Sequence, residues 1–166
     1  MAESPIPHLA YALALLARRS YSTATMKRKL QMRHQRLAKK IPHIYVLDTI
    51  DDQVGKTLGY LNEHKLLDDL VYTSQLISTM RQRHKSDMWI RQKLAQNGID
   101  RDTVSTLMTP EDPSGSISHL IAHKLSYHPD TLTDKKKKEK LIRWLMGKGF
   151  RYADINRAIV EKEEGN

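Results

Sequence analysis

The chain of 166 residues contains no cysteine, so disulfides and thiolate chemistry are excluded. Glycine and proline are scarce, at seven and six residues, and no alternating run of β-branched residues indicates a strand. No apolar run approaches the roughly 20 residues that cross a bilayer. The apolar segment 9–17 is short and is followed by Arg18 and Arg19, which argues against a signal peptide. These absences predict an all-α protein, which we expect to be cytoplasmic and not bound to a membrane.

Aromatic residues are also few. The chain has one phenylalanine and two tryptophans, whereas proteins that stack single-stranded bases usually carry several rings. Trp89 and Trp144 each precede a predicted inward-facing residue, so we expect both to pack at the edge of the core. Any contact with nucleic acid is therefore predicted to be electrostatic rather than base-reading.

Carboxylates are outnumbered, with 19 acidic residues against 28 lysines and arginines. The net charge of +9 and the pI near 9.7 indicate an anionic partner, nucleic acid or a complex that contains it. The basic residues are clustered: residues 27–40 hold seven of them and no carboxylate, and Lys135–Lys138 form a second run. Because solvated helix faces usually carry mixed charges, both clusters favour contact with phosphate or with an acidic protein.

One pattern occurs twice. Leu94 lies four residues before Gly98, Leu145 lies four residues before Gly149, and an apolar residue follows each glycine. This is typical of a helix that ends in a left-handed glycine cap and turns directly into another helix. We expect both glycines to have positive φ.

Serines mark the starts of two helices. Ser22 stands four residues before Met26, and Ser86 stands four before Ile90, so each serine is a predicted N-cap. In a third copy of the pattern, Lys137 replaces the cap.

A further apolar pattern precedes each of these helices. We therefore predict three tandem three-helix repeats that form an elongated, curved array. The repeats cover residues 9–66, 67–109 and 117–160, and the first carries a basic insertion at 31–48. The residues predicted to be buried are Leu16, Leu30, Leu58, Leu76, Ile90, Leu94, Val104, Leu107, Leu141, Leu145, Ile155 and Ile159.

The sequence offers little catalytic chemistry. His119 and His123 are one helical turn apart, but no cysteine or carboxylate nearby completes a metal site. Asp68 and Asp69 are adjacent and point in different directions, which favours helix capping over shared acid–base work. No phosphate-binding glycine loop or nucleophile elbow is present. We predict a protein that is not an enzyme and that binds no metal or cofactor.

Four motifs in order give the chain a resemblance to a known family. They are Ala14-Leu-Leu-Ala-Arg-Arg-Ser-Tyr-Ser22, Leu61-Asn-Glu-His-Lys-Leu-Leu-Asp-Asp69, Ile90-Arg-Gln-Lys-Leu-Ala-Gln-Asn-Gly-Ile99 and Leu145-Met-Gly-Lys-Gly-Phe150. With this spacing and length, the chain from Leu9 to Val160 resembles the RecX family of recombinase regulators. It departs from the family's usual glycine at residues 64–66 and 85–87 and from the usual Phe-Ala at Tyr72-Thr73, so it is identified as a divergent member.

The resemblance implies a fold of three tandem three-helix repeats and a role as a modulator of RecA. Family members bind in the groove of the RecA–single-stranded-DNA filament, suppress its ATPase and strand exchange, and promote its disassembly. The chain is accordingly expected to limit recombination and SOS signalling. We expect a monomer whose partner is the RecA filament on single-stranded DNA, with free DNA as a further partner.

The basic clusters supply the candidate binding residues for such a filament. We expect them to lie along one continuous face, and reversing several charges at once to weaken binding. They are Arg18, Arg19, Lys27, Arg28, Arg33, Arg83, Arg91, Lys135, Lys136, Lys137, Lys138, Arg143, Lys148 and Arg151.

Two other classes of function remain open. One is a basic DNA-binding regulator or nucleoid-type accessory protein, in which a helix–glycine–helix unit acts as a helix-turn-helix. Against it, the predicted helix from about Asp102 to Met108 has only Arg101 to read bases. The other is a structural adaptor, which would explain the repeats but not the charge.

Overall fold

The structure, a computed structural model, describes residues 6–164. This part of the chain forms nine α-helices and no strand, which confirms the all-α prediction. No helix in it is both apolar enough and long enough to cross a membrane. The helices are α1 Leu9–Leu16, α2 Thr23–Lys40, α3 Ile50–Glu63, α4 Asp69–Gln82, α5 Asp87–Gln96, α6 Arg101–Leu107, α7 Pro113–Tyr127, α8 Lys135–Gly147 and α9 Tyr152–Glu164. Short 3-10 helices at Leu47–Thr49 and Pro129–Thr131 precede α3 and follow α7.

The described residues divide into two compact units. The first unit comprises the residues up to Ser74 together with Ala95–Thr103, and the second comprises Gln75–Leu94 together with the residues from Val104 onward. The boundaries therefore fall inside α4, α5 and α6. The division of the chain into three repeats stays a prediction.

Each unit has its own apolar core. In the first unit α2 packs on α3, and in the second α9 packs on α7 and α8. The first core consists of Ala12, Tyr21, Met26, Leu30, Val54, Leu61 and Leu67. The second consists of Ile117, Leu120, Ile121, Leu141, Leu145, Phe150, Ile155, Ala158 and Ile159.

Most of the predicted core positions are buried, but four are not. Leu16, Leu58, Leu76 and Leu107 are only half-buried. In α4 the buried positions are Thr73 and Ile77, so the inward face is displaced by one residue from the predicted Leu76. The remaining eight residues, Leu30, Ile90, Leu94, Val104, Leu141, Leu145, Ile155 and Ile159, are buried as predicted.

Several helix starts, including both serine positions, have side-chain caps that satisfy their unpaired N–H groups. The Ser22 hydroxyl accepts from the Thr25 N–H of α2, and the Ser86 hydroxyl accepts from the Trp89 N–H of α5. The prediction that Lys137 replaces the cap of the third copy is wrong. Asp134 caps α8 and accepts from the Lys137 N–H, because α8 begins with Lys135.

Four helix ends are closed by a residue in the left-handed conformation. Gly98 and Gly149 have φ of 78° and 93°, which confirms the prediction for both. Lys65 and His84 adopt φ of 54° and 50° after α3 and α4, where the chain lacks glycine. The left-handed turn is therefore kept at these two joints despite the strain that a β-carbon adds there.

The two glycines also mark places where backbones come close. In the first unit the Ser22 hydroxyl donates to the Asn97 carbonyl at 2.6 Å, so the start of α2 meets the turn after α5. In the second unit the Ser86 hydroxyl donates to the Gly149 carbonyl at 2.7 Å, so the start of α5 meets the turn after α8. We call this arrangement the serine junction. It occurs once in each unit.

Candidate nucleic-acid interface

Helix α2 carries a basic surface in the first unit. Its buried stripe consists of Met26, Leu30, His34 and Ala38, which leaves the neighbouring face to solvent. Four cations follow one another on that face at helical spacing. They are Lys29, Arg33, Arg36 and Lys40, and with Tyr11 and Lys39 they line an open groove of about 510 Å³. We call this set the α2 basic face.

The predicted insertion at 31–48 is therefore mainly a continuation of α2. The helix reaches Lys40 and ends where Pro42 follows Ile41, because a residue before proline is disfavoured in helical conformation. Buried His34 keeps the added turns attached, with its Nε2 2.9 Å from the Val46 carbonyl oxygen. The charge of this segment was predicted from the sequence, but its helical form was not.

Aromatic rings lie beside two of the predicted binding residues, Arg33 and Arg19. The Arg33 guanidinium lies 4.4 Å from the centre of the Tyr11 ring. The Arg19 guanidinium lies 4.7 Å from the centre of the Tyr21 ring, and its Nε donates to the Tyr21 hydroxyl at 2.8 Å. Such cation–π contacts restrict the side chains while leaving their charge uncompensated by a carboxylate.

The remaining predicted residues of the first unit differ in role. Arg28 donates to the Gln96 carbonyl at 2.9 Å, so it caps the last turn of α5. Arg18 and Lys27 are exposed, in the turn after α1 and on α2 respectively. The structure thus assigns Arg28 a contact within the fold and leaves Arg18 and Lys27 at the surface.

In the second unit the structure brings Arg83 and Lys148 together. The Lys148 ammonium donates to the Arg83 carbonyl at 3.1 Å and lies 5.0 Å from the centre of the Trp144 ring. Lys85, which is not among the predicted binding residues, lies 4.5 Å from the Trp89 ring centre. Partial burial, and then the nearby charge of Lys85, hold the pKa of Lys148 below its usual range.

Arg91 is engaged inside the fold. Its guanidinium donates to the Met108 carbonyl at 3.4 Å, at the end of α6, and its side chain is half-buried. Arg143 and Arg151 are exposed, on α8 and just before α9. Of the three, Arg143 and Arg151 are therefore available to a partner.

The lysine run forms the first turn of α8, and half of it is neutralised. Lys137 pairs with Asp130, and this contact raises the pKa of Lys137 and lowers that of Asp130. Lys138 pairs with Glu163 at 2.6 Å. Lys135 and Lys136 are exposed and have no carboxylate partner among residues 6–164. Two of the four lysines of the run are therefore engaged in ion pairs within the fold.

The histidines of α7 have aromatic neighbours. The His119 ring stacks on His84 with centroids 4.5 Å apart, and His123 lies 5.3 Å from Tyr127. Within the described range, no group of three histidine, aspartate or glutamate side chains could hold a metal ion.

Comparison with known proteins gives three consistent results. Residues 117–159, which contain most of α7 to α9, match the family model described as RecX, third three-helix domain. The chain is 29% identical over 152 residues to the regulatory protein RecX of Pectobacterium atrosepticum, an alignment that covers 89% of this chain and 92% of the relative. It is 34% identical over 124 residues to the regulatory protein RecX of Lactococcus lactis subsp. cremoris, covering 69% of this chain and 46% of that longer relative.

A solved structure agrees in fold. A crystal structure of a regulatory protein RecX superposes with a TM-score of 0.55 at 23% sequence identity, and the match covers 89% of this chain and 68% of that one. At this identity the likeness is one of fold.

Proposed function

Because the chain is a divergent member of the RecX family of regulatory proteins, we propose that it modulates the RecA recombinase. In this proposal it binds in the groove of the RecA filament on single-stranded DNA and limits the filament's ATPase, strand exchange and SOS signalling. It acts by binding, as a cytoplasmic monomer without enzymatic activity, metal or cofactor.

The observation that supports this proposal best is the α2 basic face. Its four cations line one groove together with Lys39, and no carboxylate lines that groove with them. A surface of this kind attracts DNA phosphate or an acidic protein surface and speeds association. Arg33 is already held against Tyr11, so less side-chain freedom is lost when a partner binds.

The test is ATP hydrolysis by RecA on single-stranded DNA, with this protein titrated in. Inhibition at substoichiometric amounts supports action on the filament. Loss of activity that needs stoichiometric protein and that added DNA reverses indicates plain coating of DNA, and contradicts the proposal in favour of a DNA-binding accessory protein.

A charge-reversal variant locates the effect. Arg36→Glu with Lys40→Glu removes exposed cations from the α2 basic face, whereas Lys56→Glu with Lys162→Glu makes the same charge change at exposed sites outside it. The first variant is expected to lose inhibition at least about tenfold, because two phosphate or carboxylate contacts become repulsive. Equal loss in both variants would indicate only a dependence on net charge.

The competing hypothesis, a DNA-binding helix-turn-helix, has little support in α6. That helix has seven residues, buries Val104, and has Arg101 at its first position as its single basic residue. A recognition helix needs several side chains that reach base edges. Sequence-specific reading of duplex DNA through α6 is therefore not proposed.

A further inference from the structure

The second unit contains a groove that the proposed function does not use. It lies between the end of α7 and one face of α8 and has a volume of about 510 Å³, within the range of small-molecule sites. The side chains that matter for its chemistry are His123, Lys124, Tyr127, Lys140 and Trp144.

Helical spacing explains why these residues meet. Lys137, Lys140 and Trp144 recur three and four residues apart, so they share one face of α8. Lys124 and Tyr127 lie three residues apart in the last turn of α7. Rings and ammonium groups are thereby brought to both walls of one groove.

The charge of the groove is positive and only partly compensated. Lys137 is paired with Asp130, but Lys124 and Lys140 have no carboxylate partner within residues 6–164. No carboxylate is among the residues that line the groove. An anion entering it would therefore meet two unpaired ammonium groups.

The rings of the groove are unusually open. Tyr127 is 71% exposed and Trp144 is 43% exposed, although large aromatic side chains are normally mostly covered. Trp144 was expected to pack at the core edge, yet its neighbour Leu145 fills the core and the indole remains at the surface. Exposed rings beside unpaired lysines are the combination that binds single-stranded nucleic acid without sequence preference.

We propose that the α7–α8 groove binds single-stranded nucleic acid, with a base stacked on Trp144 and the adjoining phosphates at Lys124 and Lys140. Duplex DNA fits poorly, because its bases are already stacked on each other. An acidic peptide would satisfy the lysines but would leave the ring faces unused. The site is independent of RecA, so it stands or falls separately from the proposed function.

Tryptophan fluorescence of the full chain tests the stacking directly. The chain has two tryptophans, so the Trp89→Phe variant reports from Trp144 alone. Titration with a dT oligonucleotide is expected to quench this emission. An abasic oligonucleotide of the same length keeps the phosphates but lacks the bases, and it should bind at least about tenfold more weakly and quench little.

Two variants with matched controls complete the test. Binding is measured by anisotropy of a labelled dT oligonucleotide, and circular dichroism checks that each variant keeps its helical content.

Trp144→Leu removes the π face but keeps an apolar side chain, and it should weaken binding about tenfold. Met146→Leu, on the same helix outside the groove, should not weaken binding. Lys124→Ala with Lys140→Ala should weaken binding and reduce its salt dependence more than Lys56→Ala with Lys162→Ala. Unquenched Trp144, or equal affinity for the dT and abasic oligonucleotides, would overturn the proposal and leave only electrostatic attraction of an anion.

Discussion

At the scale of single residues, the left-handed helix ends differ in the space around the position of the β-carbon. A β-carbon added at Gly98 would lie 2.4 Å from the Ala24 Cβ, and one added at Gly149 would lie 2.4 Å from the Ser86 Oγ. Both glycines therefore meet two demands, a positive φ and a close approach of backbones at a serine junction.

We predict that Gly98→Ala and Gly149→Ala each destabilise the fold by more than about 2 kcal/mol, since the left-handed strain of about 1–2 kcal/mol is joined by a steric clash. Urea unfolding followed by circular dichroism measures this. Gly55→Ala is the control, because α3 leaves its β-carbon position open, and it should stabilise by about 0.5–1 kcal/mol. A loss of similar size at Gly55 and Gly98 would contradict the structural explanation.

At Lys65 we predict the opposite effect, a gain in stability on substitution. Its φ of 54° imposes the left-handed strain on a residue with a β-carbon. Lys65→Gly should therefore raise the free energy of unfolding by about 1 kcal/mol, less the entropy that glycine adds to the unfolded chain. Thermal melting gives the sign. The same substitution at Lys56, inside α3, should destabilise by about 1 kcal/mol, and a destabilised Lys65→Gly would show that the lysine side chain stabilises this turn.

His8 and His34 form a buried pair of histidines. The His8 Nε2 lies 3.2 Å from the His34 Nδ1, and His8 also stacks on Tyr45 with centroids 5.5 Å apart. Burial, followed by the charges of His34 and Arg33, lowers the pKa of His8 to about 4. A proton on His8 would need to be accommodated beside a second ring with little access to water.

We predict that stability falls as the pH drops from about 6.5 towards 4. In that window the unfolded chain protonates His8 at its ordinary pKa near 6.5 while the folded chain does not, so protons favour unfolding. Urea midpoints at pH 7 and pH 5 measure the effect. His8→Asn, which tolerates the φ of 61°, should reduce this pH dependence, whereas the exposed His43→Gln should retain it. Identical pH profiles for the unsubstituted protein and both variants would contradict the conclusion that His8 causes the pH dependence.

At the scale of secondary-structure elements, α2 and α8 show what hydrophobic spacing reveals and what it hides. In α2, polar His34 occupies an inward position, and its burial depends on contacts with His8 and Val46, which are remote in sequence. In α4, buried Thr73 similarly broke the apolar pattern. Periodicity located the helices, but it misjudged their inward faces wherever a polar residue is buried by tertiary contacts.

The two halves of the lysine run are predicted to contribute unequally to binding the RecA filament. Lys135→Gln with Lys136→Gln should make the negative slope of log affinity against log salt shallower by about 1.4. Each unpaired cation displaces about 0.7 counterion from single-stranded DNA. Lys137→Gln with Lys138→Gln should change the slope less, since these charges already face Asp130 and Glu163.

Co-sedimentation with RecA filaments at several salt concentrations provides the measurement, and the two double variants serve as each other's control because they change net charge equally. Circular dichroism should show little change for either, since surface ion pairs contribute about 0–1 kcal/mol. Equal slopes would mean that the intramolecular pairs open when the partner binds.

At the scale of the whole molecule, the sequence predicted the helical class, the left-handed glycines and the family. It succeeded where local rules decide the outcome, as at Ser22, Ser86, Gly98 and Gly149. The candidate site was predicted less well, because charge in a sequence does not show which cations are engaged. Arg28, Arg91, Lys137 and Lys138 are engaged with carbonyls or carboxylates that only the folded chain brings near. Whether all the candidate residues share one face stays a prediction.

The serine junction bears on how repeats could be added to such a chain by gene duplication. The start of α5 makes a serine hydrogen bond to the turn after α8, and the start of α2 makes a similar one to the turn after α5. One helix thus carries both halves of the joint, a donor at its beginning and an acceptor beyond its end. A tandem duplication in the gene that copied such a helix with its flanking turns would supply a complementary partner at each end. Such a duplication would therefore require no new interface.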